Sequence, residues 1–91
     1  MLYTAKCYWP GVTEAAVARI GAEFSRRRAV YAGSLLFPED ELVLCLVEGT
    51  SRAAVRRACE QARIPCERVI ESLWVAPRVG PKRSRNEGGE R

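Results

Sequence analysis

The segment from residue 41 to residue 48, Glu-Leu-Val-Leu-Cys-Leu-Val-Glu, constrains the fold of this chain more than any other. Six apolar residues lie between two glutamates, a pattern typical of a short, strongly hydrophobic β-strand. Because side chains alternate between the two faces of a strand, this one presents apolar groups to both. Such a strand is normally covered on both sides. We therefore expect it at the centre of a sheet, with one face under helices and the other in need of a cover.

The segments around this strand alternate between extended and helical character. In chain order the sequence predicts a strand at 2–9 ended by Pro10-Gly11, a helix capped by Thr13, a strand at 30–37, a turn at 38–40, the strand at 41–48, a helix capped by Ser51 and ended by Ile64-Pro65, and a strand at 67–75. This β-α-β-β-α-β order is that of the ferredoxin-like α+β fold. Right-handed crossovers then place both helices on one face of a four-stranded antiparallel sheet, with the first and third strands at its centre.

The charge of the chain separates a domain from a tail. The net charge is +4, of which residues 1–76 carry +1 (ten Lys/Arg, nine Asp/Glu) and residues 77–91 carry +3 (five against two). We expect a folded domain at 1–76 and a disordered basic tail at 77–91. A nearly neutral domain does not favour nucleic acid as its partner. No apolar run is long enough for a signal peptide or a membrane span, so we expect a cytoplasmic protein that does not bind a membrane.

Alternation along the strands predicts which side chains lie on the open face of the sheet. Leu42, Leu44 and Leu46 of the central strand fall on the face opposite to the helices. The other residues predicted on that face are Thr4, Lys6, Tyr8, Val69, Glu71 and Leu73; those predicted under the helices are Ala5, Cys7, Val43, Cys45, Val47, Ile70, Ser72 and Trp74. An exposed apolar surface of this size usually marks an interface. Homodimerisation through the three leucines is the simplest way to cover it.

Several short motifs resemble domain-of-unknown-function family 4242, a family of small bacterial proteins with nickel-binding members. They are the first strand ending at Pro10-Gly11, the hairpin near 34–41, and Ala62-x-Ile64-Pro65-x-x-Arg68-Val69 after the second helix. The resemblance covers residues 1–76 and implies a ferredoxin-like fold, a dimer and nickel binding. Nickel is usually bound by imidazole and other nitrogen or oxygen donors. This chain has no histidine, so its residues disfavour the nickel site that the resemblance implies.

Four cysteines, Cys7, Cys45, Cys59 and Cys66, provide the remaining metal-binding chemistry of the sequence. No two have the Cys-x-x-Cys spacing of common zinc sites. We expect reduced, mostly buried thiols, with Cys7 and Cys45 approaching each other under the helices and Cys59 in the same layer. Cys66, at the edge of the sheet, is the one least expected to join them. We therefore predict no metal site, and the sequence contains no motif for any cofactor.

Lys6, Tyr8 and Glu71 are the candidate ligand-binding residues, because the predicted register places them on the open face beside the leucines. Glu71 could act as a base while Lys6 holds an anion. The alternative is a cross-strand ion pair at the rim of a dimer interface, which adds little to affinity.

Two classes of function are consistent with these sequence features. The first is a non-catalytic homodimeric module that binds a small apolar or weakly anionic ligand, or a protein. The alternative is a cofactor-free oxygenase, isomerase or cyclase with its cavity on the open sheet face, by analogy with other paired ferredoxin-like sheets. A nickel-binding protein comes third, because histidine is absent.

Overall fold

The fold is that of a computed structural model, which describes residues 1–26 and 29–78. Its elements in chain order are β1 (Leu2–Tyr8), α1 (Glu14–Ala18), α2 (Ile20–Ser25), β2 (Val30–Phe37), β3 (Leu42–Glu48), α3 (Arg52–Gln61) and β4 (Cys66–Ser72). The predicted first helix is divided at Arg19 into α1 and α2. The four strands form one antiparallel sheet in the order β2-β3-β1-β4. The predicted ferredoxin-like α+β fold, with β1 and β3 at the centre, is confirmed.

Both predicted helix caps are present. The Thr13 hydroxyl accepts a hydrogen bond from the Ala16 N–H at 3.1 Å, and the Ser51 hydroxyl accepts one from the Ala54 N–H at 3.0 Å. These bonds satisfy backbone donors that have no partner inside a first helical turn. They explain why the helical segments begin where the sequence predicts.

The core lies between the helices and one face of the sheet. The sheet contributes Tyr3, Ala5, Cys7, Val43, Cys45, Val47 and Val69, and the helical layer contributes Ile20, Phe24, Val55, Ala58, Cys59 and Ile64. Phe24 is fully buried, and its ring stacks on that of Tyr31 with 5.7 Å between the centroids. Burial of this helix-facing layer leaves the opposite sheet face without a cover among the described residues.

The turn between β2 and β3 is fastened to the end of β1. Glu41 adopts a left-handed conformation (φ 53°), and its carbonyl accepts the Trp9 N–H at 2.7 Å. Its carboxylate accepts the N–H of Gly11, another left-handed residue (φ 75°), at 2.8 Å. These two bonds hold the Pro10-Gly11 turn against the β2–β3 hairpin, at one end of the two central strands.

The side chains of the last strand, β4, point to the opposite faces of the sheet from those predicted. Val69 is paired with Ala5 and buried under the helices, whereas Ile70 is paired with Thr4 on the open face. The strand carries apolar residues on both parities, so alternation alone does not fix its orientation; pairing with β1 does. The strand also ends at Ser72, so Leu73 and Trp74, predicted on opposite faces of it, lie beyond it and are exposed.

No helix in the described part of the chain is long and apolar enough to cross a membrane. Of the predicted basic tail, residues 77 and 78 are described and have no regular secondary structure; the rest lies outside the described residues.

Candidate functional site

The open face of the sheet carries a continuous apolar surface, here called the leucine face. Its centre is formed by Leu42, Leu44 and Leu46, all half-buried on β3. Their partners across the sheet are Tyr8, Lys6 and Thr4 on β1 and Phe37, Leu35 and Gly33 on β2. Tyr8, Leu35 and Phe37 are 54%, 57% and 39% exposed, far more than apolar side chains in a core. The leucine face therefore extends over three adjacent strands.

The three candidate ligand-binding residues do not form one site. Lys6 and Tyr8 lie on the leucine face, opposite Leu44 and Leu42. Glu71 pairs with Tyr3, which is buried under the helices, so Glu71 is on the other side of the sheet. Its placement beside Lys6 was wrong for the same reason as that of Val69. The carboxylate near Lys6 is Glu67, with 3.8 Å between Nζ and Oε1 in an exposed pair that solvent screens.

The four cysteines form a second candidate site under the helices, here called the thiol cluster. Cys7, Cys45 and Cys59 are fully buried on β1, β3 and α3, and Cys66 is half-buried at the start of β4. Cys7 and Cys66 are paired across β1 and β4, and the four cysteines influence one another's pKa values. Cys66, the member least expected to join the others, is paired directly with Cys7.

The end of α3 explains how Cys66 reaches the cluster. Arg63 adopts a left-handed conformation (φ 61°), and the N–H of Ile64 donates to the carbonyl of Cys59 at 3.0 Å. This is a Schellman motif, which reverses the chain at a helix end. The reversal returns the chain beneath Cys59, where Cys66 begins β4 and pairs with Cys7. The Ile64-Pro65 break was evident in the sequence, but the direction of the returning strand was not.

Hydrogen bonds and charge favour the thiolate form of Cys66. Hydrogen bonds from Cys59 and then Cys7 lower the pKa of its thiol well below the ordinary value of 9.0, with a further contribution from the positive charge of Arg56. Arg56 is held above the start of β4, where its Nη2 donates to the carbonyl of Glu67 at 3.4 Å. Cys59 has a raised pKa, because the hydrogen bond to Cys66 and burial both favour its protonated form. Within the cluster, the pKa values of Cys45 and Cys66 are lowered and those of Cys7 and Cys59 are raised.

Within residues 1–26 and 29–78, no group of three or more His, Cys, Asp or Glu side chains is arranged to hold a metal ion. The absence of a metal site stays a prediction of the sequence.

A surface cleft of about 500 Å³ lies on the helix side, between α2 and the end of α3. Trp9, Arg19, Arg63 and Ile64 contribute to its lining. Lys6, Tyr8 and Glu71 do not.

Comparison with known proteins supports the fold alone. No protein-family model matches the chain, and none of the curated proteins matches it. The crystal structure of SCO4226 from Streptomyces coelicolor A3(2) is similar, with a TM-score of 0.72 and 18% sequence identity, over 84% of this chain and 100% of that one. The resemblance to family 4242 therefore stays a prediction, and the chain has the fold of the Streptomyces protein.

Proposed function

We propose that this protein is a homodimeric, non-catalytic binding module in which the leucine faces of two copies meet and enclose a small apolar or weakly anionic ligand. The observation that carries the proposal is the row of Leu42, Leu44 and Leu46 on the central strand, uncovered by any described residue and flanked by exposed Leu35 and Phe37.

A second copy suits this surface in size and charge. Four strands of about seven residues span about 23 Å by about 19 Å. The projected area of about 440 Å², which the relief of the side chains enlarges, is of the same order as the roughly 800 Å² that each partner buries in a standard interface. The paired charge of Lys6 and Glu67 lies toward the β4 side, and Glu48 lies at one end of β3. An apolar centre with charges at its margin is the usual composition of a protein interface.

Lys6 supports the choice of ligand class. It lies between Leu44 on one side and Arg68 on the other, in one row across the sheet. Arg68, together with Lys6 and its exposed partner Glu67, lies beside an apolar surface, which favours a ligand with an apolar body and a negative or electron-rich end. Glu71 lies on the opposite face, so the base that the enzymatic alternative assigned to this surface is missing from it.

The dimer is tested with Leu44→Glu and Leu35→Glu, measured by sedimentation velocity. Each substitution would bury two unpaired carboxylates per dimer, so we expect the dissociation constant to rise at least about a hundredfold. Leu35 is on an edge strand and 57% exposed, so its variant keeps the test valid if Leu44→Glu does not fold. Ala53→Glu, on an exposed position of α3, is the matched control and should keep the mass of the dimer.

Two results would show that the leucine face is not the interface. One is a wild-type protein that is monomeric at 100 µM, roughly a hundred times the dissociation constant of a micromolar dimer. The other is a dimer that neither substitution changes.

Ligand binding is tested separately with a dansyl-labelled fatty acid. We expect saturable fluorescence enhancement that Lys6→Met weakens about tenfold and that Ala53→Glu leaves intact. Equal enhancement in the Leu44→Glu monomer would place the ligand outside the interface.

A further inference from the structure

The thiol cluster has no part in the proposed function, because it lies under the helices, on the opposite side of the sheet from the leucine face. Buried cysteines usually act as small hydrophobic residues and do not react. Cys66 differs from the other three in being half-buried at the start of an edge strand, where its thiol donates a hydrogen bond to the Arg68 carbonyl at 3.3 Å. A reagent in solvent can therefore approach Cys66 but not its neighbours.

Three groups from two elements act on Cys66. Cys59, on α3, and Cys7, on β1, both lower the pKa of its thiol. Arg56 lies one helical turn before Cys59 and is fixed over the same end of β4 by its bond to the Glu67 carbonyl. A nearby cation and thiol donors together stabilise a thiolate, which is the nucleophilic form of cysteine.

The sheet places Cys7 and Cys66 where a disulfide can form. The two residues are directly paired across the antiparallel strands β1 and β4. Such pairs have Cα atoms about 4.5–5.5 Å apart, within the range of about 4.4–6.8 Å that a disulfide requires. Paired residues also point to the same face, and a register shift between Lys6 and Cys7 places both cysteines on the helix side of the sheet. Cys59 belongs to a helix in another layer, and its effect on Cys66 is to lower the pKa of that thiol.

We propose that Cys66 and Cys7 are a redox-active pair, in which Cys66 is oxidised by a hydroperoxide and Cys7 then closes a reversible disulfide between β1 and β4. In the first step the Cys66 thiolate attacks a peroxide oxygen. The S–O bond forms, the O–O bond breaks, and hydroxide leaves (or an alkoxide, from an organic peroxide), giving the sulfenic acid. In the second step Cys7 sulfur attacks Cys66 sulfur, and hydroxide leaves with the Cys7 proton as water. Two thiol groups are thereby oxidised by two electrons, and one peroxide is reduced.

The test is the oxidation of the reduced full-length protein with an equimolar amount of hydrogen peroxide, followed by blocking of free thiols and non-reducing peptide mapping. We expect one disulfide, between the peptides that contain Cys7 and Cys66, which dithiothreitol reverses. Cys66→Ser should abolish the reaction. Cys7→Ser should stop it at the sulfenic acid, which dimedone traps on Cys66. Cys45→Ser is the matched control, because it removes a buried thiol of the cluster and leaves the reacting pair.

Three results would each overturn the proposal: oxidation that persists in Cys66→Ser, a disulfide between Cys59 and Cys66, or the absence of any disulfide in the wild-type protein.

A second measurement needs no substitution in the core. At pH 6 a cysteine with the ordinary pKa of 9.0 is ionised in roughly one molecule in a thousand. We expect iodoacetamide to label Cys66 about tenfold faster than it labels free glutathione at this pH, and Arg56→Gln to reduce that advantage. Labelling at the rate of glutathione would contradict the assigned thiolate. Because the dimer lies on the other face, sedimentation of the same samples reports separately on the proposed function.

Discussion

Replacement of Gly49 by alanine is expected to destabilise the domain through one defined collision. Gly49 follows β3, and a Cβ atom added to it would lie 2.5 Å from Cγ2 of Val55 in α3. Carbon atoms in contact are ordinarily 3.5–4.0 Å apart, so about 1 Å must be recovered by movement. Val55 is 1% exposed and β-branched, and therefore has little freedom to rotate away.

Overpacking of this kind costs about 1–3 kcal/mol, and the reduced flexibility of alanine in the unfolded chain returns less than about 1 kcal/mol. We expect a net loss of about 1–2 kcal/mol in the free energy of unfolding. For a domain of this size each kcal/mol corresponds to a decrease of about 4–8 °C in Tm. Urea denaturation followed by far-UV circular dichroism measures the loss directly.

A double-mutant cycle with Val55→Ala identifies the cause. Val55→Ala alone should cost about 2 kcal/mol, because it removes two buried methyl groups and leaves a cavity. In that background the atom that collides with the new Cβ is gone, so Gly49→Ala should cost nothing. The expected coupling energy is therefore about 1–2 kcal/mol. If the losses in the free energy of unfolding of the two single variants simply add in the double variant, the collision is refuted. The effect of alanine would then come from the backbone at residue 49.

Two further predictions concern the thiols and a helix cap. Hydrogen bonds to other cysteines, together with burial, raise the pKa of Cys7 and of Cys59. The two protonated thiols therefore stabilise the folded protein fully below pH 9.0, the pKa of cysteine in the unfolded chain, and this stabilisation is lost as the pH rises above it. Under reducing conditions the free energy of unfolding should fall by up to about 1.4 kcal/mol per pH unit for each thiol above pH 9, and Cys59→Ala should halve that slope in urea titrations. Ser51→Ala removes the bond to the Ala54 N–H and should cost about 1 kcal/mol, whereas Ser51→Asp should retain most of the stability; equal losses in both variants would exclude the cap as the cause.

Local signals predicted the elements of the fold well, because each is bounded by residues with strong conformational preferences. Pro10-Gly11 ends β1, Thr13 and Ser51 begin helical segments, and Pro65 precedes β4. The break at Arg19 had no such signal, since apolar residues continue at helical spacing from α1 into α2.

The orientation of β4 could not be predicted, because it depends on pairing between distant parts of the chain. Val69 and Ile70 are both β-branched and apolar, so either could have faced the core. In addition, the pairing of β1 with β4 shifts register between Lys6 and Cys7, which places both Cys7 and Cys66 under the helices. The wrong orientation predicted for β4 therefore placed Glu71 in the candidate ligand site. It also left the pairing of Cys66 with Cys7 unpredicted.

The central place of β1 in the sheet determines when the domain can fold during synthesis. Tyr3 leaves the ribosome before both of its partners, Val47 and Glu71. At about 5–20 residues per second, β1 waits several seconds for both neighbours, while the β2–β3 hairpin can close as soon as it emerges. We infer that this hairpin forms first and that β1 docks onto its preformed edge. The docking of β4 completes the domain only after residue 72, so a nascent chain halted before that point would expose the edge of β1 to other chains.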